Sequence, residues 1–489
     1  MATPQKLVLA VIDSLKPAQL ERAIADGRAP ALAAIRERGA YVSDCVSTFP
    51  SVTPVASASI ATGLGPGEHF IPSMNWYHRG EERYVEYGSS FQATRAFGVL
   101  RSLTDTVYNM NLGHLTRAHR TVFEHLDDAG LRTACTTYLI YRGRHRHRRT
   151  LDSPFSRLAT AAQFRHATWG ARELFYADLF DSRNTGCTSA LGMPGQRDQH
   201  TGCVGAHLVE HDLFDFLLFS LPDNDTYSHR YGPEAQVRSI ADADRALERI
   251  MHVAGGIDAF LDEHAVIVMS DHSQTAVEQR LNLAEALGGW RVLAPVDAAP
   301  ESAELAVCPA ARSAMVYVLA EDARERLVER VAGDLRGLDG VDLIIRRLGD
   351  EAVVWSARGE LRFAPGGELV DRRGGHWSVT GERSALDLQI SDGRLASPAY
   401  PDALERIWSA LTAPYAGDVL VSAALGWEFV DWGGADHVGG GSHGSLLAGD
   451  SEGVLLAAGV DMPQREAWSI ADATPLVLKH FGLPSRLDD

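Results

Sequence analysis

The sequence predicts an α/β protein in which a mostly parallel central sheet carries helices on both faces and a smaller α+β segment is inserted. Three observations predict this. Apolar runs at 6–12, 132–140, 214–221, 264–270 and 453–459 have the length of buried strands, and helical patterns separate them. Several of these runs also stop at Asp or His, where strand ends in such sheets open onto a crevice.

The first run, Leu7-Val8-Leu9-Ala10-Val11-Ile12, reads as a strand that Asp13 ends, and Leu20 to Arg38 as the helix after it. Between them and the third run lies a segment from Phe49 to Gly63, in which Thr53 suits an N-cap, Pro54 the first helical position and Gly63 the C-terminal cap. In Glu234 to Leu261, Val237, Ile240, Leu247, Ile250 and Met251 fall near a 3.6-residue period, Pro233 suits its start, and Gly255-Gly256 predicts a kink or end. From 295 to 430 the texture changes to short Val-rich strands, a charged helix near Ala323 to Arg336, and glycine turns at 365–367 and 374–375. That stretch reads as an α+β cap inserted into a core of 1–294 and 431–489, with a further substrate-side insertion near 80–200. The sheet resumes after Gly439-Gly440-Gly441.

Bulk properties narrow the function. A chain of 489 residues exceeds the roughly 250–300 at which single cores stop growing. Its net charge of -18 disfavours a dedicated nucleic-acid partner or an anionic membrane surface, and no apolar stretch reaches the ~20 residues of a bilayer span. Lysine occurs only at Lys6, Lys16 and Lys479, so Arg supplies nearly all the positive charge. The strand-like start, without a basic leader, and five scattered cysteines without C-x-x-C spacing are read as a soluble cytoplasmic protein with reduced thiols. The number of subunits is left open.

Metal chemistry is the strongest signal. Asp271-His272 follows the fourth apolar run, Asp225 and His229 lie four apart after the third, and His443 sits in the glycine-rich turn before the last. A spacing of four puts two side chains on one side of a helical turn. Each residue alone has a structural reading: Asp13 could cap a loop, and His229 could be a hydrogen-bonded surface residue. Asp223 competes with Asp225 but suits a turn after Pro222. Three Asp and three His from distant segments together meet what zinc requires of imidazole and carboxylate. Thr53, at a helix N-terminus with its positive dipole end, offers a hydroxyl for attack on phosphorus, whereas Thr48, Ser51 and Ser57 lack the cap-then-proline context.

In order and spacing, Asp13, the Thr53 segment ending Ala61-Thr62-Gly63, Asp225-x-x-x-His229, Ser270-Asp271-His272 and Gly441-Ser442-His443-Gly444 resemble the alkaline phosphatase superfamily. The branch most similar is the nucleotide pyrophosphatase/phosphodiesterases. The resemblance spans roughly 1–80, 205–290 and 435–489 and extends poorly to the cap. It implies one Zn2+ at Asp13, Thr53, Asp271 and His272 and another at Asp225, His229 and His443, with manganese or another divalent metal as alternatives. It also implies hydrolysis of a phosphodiester or pyrophosphate in a small phosphorylated substrate through a phospho-threonine intermediate. Two departures stand out: Met74 occupies the aligned position of a phosphoryl-binding Asn, with Asn75 one residue later, and Ser228 replaces a glycine before His229.

For substrate contacts the sequence offers Asn75, an aromatic wall of Trp76 and Tyr77, and the Arg/His run 141–149, in which Arg142 and Arg144 could grip a second anion. Core packing and a solvated loop are the respective alternatives, and His145 and His147 are read as solvent-exposed. The sulfatase branch needs C-x-P-x-R, which Cys45-Val46-Ser47-Thr48-Phe49 does not provide. A phosphonoacetate-hydrolase-like C–P hydrolase, a phosphomonoesterase or mutase, and a non-catalytic metal-stabilised anion-binding protein remain as alternatives.

Overall fold

The computed structural model describes residues 6–149, 166–190, 192–296 and 302–487. Its central sheet has eight strands in the order Gly39–Val46, Glu452–Ala458, His264–Met269, Lys6–Ile12, Phe216–Leu221, Thr133–Thr136, Glu173–Tyr176 and Phe180–Asp181. The five strands from His264–Met269 to Glu173–Tyr176 pair in parallel. Edge pairings on both sides are antiparallel, including that of the last apolar run, Glu452–Ala458. The expected mostly parallel sheet is therefore present, with its edges reversed.

Strand periodicity explains why both faces are covered. Leu7, Leu9 and Val11 enter one hydrophobic cluster, while Val8, Ala10 and Ile12 enter the cluster on the opposite face. Helix Gln236–Val253 buries Ile240, Leu247, Ile250 and Met251 against the second face and stops before the positive-φ pair Gly255-Gly256, as the sequence predicts. The helix expected over Leu20–Arg38 is two helices, Pro17–Ala25 and Pro30–Arg38. Gly27 (φ 67°) turns the chain between them, and Pro30 starts the second.

A nine-stranded, largely antiparallel sheet runs from Leu305–Ala310 to Val419–Ala423 in sequence. Helix Arg324–Leu335 covers one of its faces, while Leu343, Ile345, Val354 and Phe363 join the cluster that also contains Leu7 and Leu9. Core and inserted sheet thus share one hydrophobic interior. No described helix is long and apolar enough to cross a membrane.

One expectation fails outright. Cys187 and Cys203 form a disulfide, leaving Cys45, Cys135 and Cys308 as buried free thiols. The bond ties Cys187 to helix Arg197–Glu210, which carries Cys203, a closure that residue spacing alone does not reveal.

Candidate active site

The strands His264–Met269, Lys6–Ile12 and Phe216–Leu221 are parallel neighbours in register, Val11 beside Met269 and Ile12 beside Leu221. Their carboxyl ends therefore lie side by side, and Asp13, the helix carrying Asp225 and the pair Asp271-His272 emerge together. Helix Asp223–Tyr231 begins directly after its strand, and its i,i+4 spacing brings His229 Nε2 within 3.3 Å of Asp225 Oδ2. His443 arrives from the turn after the second sheet, its Nε2 3.7 Å from Asp225 Oδ1. His272 Nε2 stands 3.7 Å from Asp13 Oδ1, 3.4 Å from Asp271 Oδ2 and 3.3 Å from the Thr53 hydroxyl. All seven sequence-predicted donor residues thus meet at one end of the sheet.

Thr53 is the first residue of helix Thr53–Thr62, with Val52 as N-cap, one position earlier than the sequence reading. The rest of this helix is buried, its Val, Ala and Ser side chains allowing close approach, and it ends at Gly63 (φ 74°). Pro54 has no N–H, and the N–H groups of Val55 and Ala56 both donate to the Val52 carbonyl at 3.0 Å, so the first turn offers fewer free donors than expected. Ser51 and Thr48 are buried and bonded to the backbone of Ser445 and Pro50. Ser57 faces the cavity one turn further along the helix.

The tautomers of the three histidines explain the charge pattern. His229 Nδ1 faces the Gly441 carbonyl at 2.8 Å, His443 Nδ1 the Ser51 carbonyl at 2.8 Å, and His272 Nδ1 the Ser273 carbonyl at 3.2 Å. A carbonyl only accepts, so each Nδ1 carries the hydrogen; His272 and His443, held neutral, turn a bare Nε2 lone pair toward carboxylate oxygens, and His229 does so once it gives up its Nε2 proton. Lone pairs facing lone pairs need a cation between them. Two groups, Asp225/His272/His443 and Asp13/Asp271/His272, have donor atoms all within 4.8 Å of one another, the separation a bound ion spans.

Without such an ion the titration is unbalanced. Burial, with Asp271 and Asp225 alongside, raises the Asp13 carboxyl well above its usual range, and burial lifts Asp271 to about 7. Burial lowers His272 to about 4 and holds His443 well below its ordinary value. Asp225 resists the effect of burial because His229, His443 and His272 hold it low, and it in turn raises His229 to about 8. The donor set therefore fits divalent cations on its own chemistry.

Several residues that sequence reasoning missed complete the site. Ser14, held at φ 59°, donates its N–H to Asp271 Oδ1 (3.1 Å) and its hydroxyl to Asp225 Oδ1 (2.7 Å). Gln274 Nε2 also donates to Asp225. His437 stacks on His229 with centroids 4.0 Å apart, and its Nδ1 lies 2.7 Å from the buried Glu428, which also accepts the Ser442 hydroxyl at 2.6 Å. Arg197, at the start of helix Arg197–Glu210, reaches the cavity while bonded to Asp223 (2.8 Å) and Thr226. Asp223 is more than a turn former, since it also accepts the N–H groups of Gly195 and Asp198 and so pins the cavity-lining loop. Nearness to Asp13 and His229 in sequence flags Ser14 and Asp223; only the fold connects the others.

The predicted substrate residues are placed differently. Met74 lines the cavity, whereas Asn75 is buried with its amide on the Val85 carbonyl at 3.0 Å. Trp76 is fully buried and stacked on Tyr415, and Tyr77 packs against Tyr84 and Tyr317, so the proposed aromatic wall is core. The strand before the Arg/His run is parallel to the others, as required for that run to emerge at the catalytic edge. Thr137 (φ 55°) then diverts the chain. Arg142 binds Glu124 at 3.1 Å and the backbone carbonyls of Thr116 and His119, and Arg144 binds Asp128 and Glu124. Neither arginine lines the cavity. His145 is partly exposed, but His147 is buried against the Ala171 carbonyl at 2.7 Å.

The chain is similar to phosphonoacetate hydrolase from Sinorhizobium meliloti 1021, solved in complex with phosphonoacetate (17% identity, TM-score 0.57, 96% of this chain and 94% of that one). It is also similar to murine ectonucleotide pyrophosphatase/phosphodiesterase 5 (12% identity, TM-score 0.57, 98% and 96%) and to the human protein of the same name (12%, TM-score 0.56, 98% and 96%). At these identities the likeness establishes the fold. A search of curated proteins finds no match. The family described as "Type I phosphodiesterase / nucleotide pyrophosphatase" matches residues 7–446, which include all seven donor residues, and the chain belongs to that family of phosphoester hydrolases.

Proposed function

We propose that this chain hydrolyses a phosphodiester or pyrophosphate bond with Thr53 as nucleophile and two divalent cations, zinc in the first instance, held by Asp13, Thr53, Asp271 and His272 and by Asp225, His229 and His443. The observation that supports this reading best is the set of three Nδ1-bonded histidines whose Nε2 atoms face carboxylates around the Thr53 hydroxyl. When bound, the cations supply charge neutralisation and lower the pKa of a hydroxyl they touch. Thr53 Oγ1 gives up its proton to solvent and attacks phosphorus, and the ester oxygen opposite departs in line as an alkoxide or phenolate that takes up a proton from water. Water entering from the vacated side then cleaves the Thr53 phosphoester and restores the hydroxyl. Helix Thr53–Thr62 contributes a fixed nucleophile position, because the buried body of the helix cannot shift without disturbing the core.

A second reading, phosphonate C–P hydrolysis, draws on the phosphonoacetate complex of the Sinorhizobium protein. The placement of Arg142 and Arg144 outside the cavity weighs against it, since it leaves a substrate carboxylate only Arg197, already bonded to Asp223 and Thr226, among the described Lys and Arg side chains of the lining.

Turnover of bis-p-nitrophenyl phosphate by metal-reconstituted protein, with Thr53→Ala alongside, tests the reading. The variant should keep its fold and metal content and lose at least about a thousand-fold in kcat. Parent-like turnover by the variant would remove Thr53 from the mechanism.

A further inference from the structure

The cavity over the donor cluster has a volume of about 600 Å³, far more than a phosphoryl group fills. Its walls differ in character. One end is the carboxylate and imidazole cluster. Away from it Met74, Leu103, Val107, Leu139, Tyr176 and Leu179 form an apolar stretch of a lining that also carries the hydroxyl residues Ser89, Ser90, Thr106 and Thr137. Met74, Leu139 and Leu179 are only partly buried although they pack on the hydrophobic core, so each presents apolar surface to the cavity. Leu103 is 38% exposed and belongs to helix Val99–Thr104, on which Val99 and Leu100 are 40% and 54% exposed. A spacing of three and four residues sets these side chains together, extending apolar surface outward beside the cavity.

Charge tells the same story. Among the described lining residues Arg197 is the one Lys or Arg, and Asp223 and Thr226 already bind it. The apolar stretch itself carries no cationic side chain, so a second negative charge placed against it, whether the carboxylate of a phosphonate or the further phosphates of a nucleotide, would lose its hydration without gaining an ion pair there.

On the phosphodiesterase reading above, we propose that this part of the cavity is a subsite for a neutral, apolar ester group, aryl or alkyl, so that the preferred substrate is a phosphodiester carrying one such group besides its leaving group. A buried methylene is worth roughly four-fold in affinity, so a short chain or one ring on this wall should separate clearly from a methyl ester.

The test fixes p-nitrophenol as leaving group and varies the other ester group of the diester through methyl, hexyl, phenyl and thymidine-5′-yl, with phosphonoacetate as an added substrate. The expected result is a kcat/KM at least ten-fold higher for hexyl and phenyl than for methyl, with the thymidine ester, whose nucleoside is uncharged but polar, and phosphonoacetate, which carries the second charge, below both. Leu103→Gln, at an exposed position where the fold tolerates the change, and Leu139→Asp should each lower the hexyl-to-methyl ratio. A flat methyl-to-hexyl series, or preference for the nucleotide ester or phosphonoacetate, overturns the subsite while leaving a working phosphodiesterase. Failure to cleave any diester overturns the phosphodiesterase reading, and the subsite with it.

Discussion

Arg312 and Asp450 form an ion pair 3.0 Å long in which neither side chain is exposed to solvent. Arg312 belongs to the turn between the first two strands of the inserted sheet, and its backbone N–H donates to the His443 carbonyl at 2.8 Å. Asp450 accepts the N–H and hydroxyl of Ser445 at 3.0 and 2.6 Å. The inserted sheet therefore grips the turn that delivers His443. Arg312→Met leaves Asp450 buried and uncompensated, which should cost on the order of 3–5 kcal/mol and reduce bound metal. Urea unfolding and metal analysis check both, and an unchanged midpoint would show that the pair is dispensable.

Glu428 orders two segments of the site through His437 and Ser442. Glu428→Ala removes the acceptor that orients His437 against His229 and frees Ser442, the neighbour of His443. Partners of this kind typically contribute 10–100-fold in metal affinity. A competition titration with a chromogenic chelator should therefore show at least a ten-fold weaker site, while parental affinity would assign Glu428 a purely local role.

The Cys187–Cys203 disulfide closes a segment that includes Gly192 and Pro194 of the cavity wall. Thiol titration of unfolded, unreduced protein should count three free cysteines, Cys45, Cys135 and Cys308; a count of five would show the pair reduced. For a loop of this length, Cys187→Ser should lower stability by about 3 kcal/mol in the chain-entropy picture, measured by denaturant unfolding.

Asp472 is buried at the end of bonds from Arg373 (2.9 Å) and Arg465 (3.2 Å) and accepts the Ser469 N–H at 2.9 Å. Burial opposes its ionisation, but the Arg373 bond and charge outweigh it and lower its pKa below the ordinary 3.8. A depressed carboxylate contributes stability that is fully present above the unfolded value and lost as pH falls through the folded one. Asp472→Asn should therefore destabilise the protein at pH 7, and the deficit should shrink below about pH 3.8. A deficit independent of pH would assign the effect to packing.

The site was legible in the sequence where chemistry follows directly from chain position. Asp13 and Asp271-His272 end apolar strands, Asp225 and His229 share a helical face, and parallel pairing brings all five to one edge. The substrate wall was not legible, because neighbouring residues of an extended segment point in opposite directions: Met74 lines the cavity while Asn75 turns into the core. Arg142 and Arg144 were misread because their partners, Glu124 and Asp128, lie on a preceding helix whose packing no local pattern discloses. Ser14, Arg197 and Glu428 act through contacts between remote segments, which sequence spacing does not encode.

The delivery of His443 from beyond the inserted sheet has a consequence for biosynthesis. A ribosome releases Asp13, Thr53, Asp225, His229, Asp271 and His272 well before the turn that carries the last donor. At ordinary rates of translation the nascent chain waits on the order of ten seconds with this acidic pocket open on one side. On the proposed ligand set, cation capture and the docking of a late-made sheet are thereby coupled events, because the donors close around the pocket only after the inserted sheet and His443 have emerged.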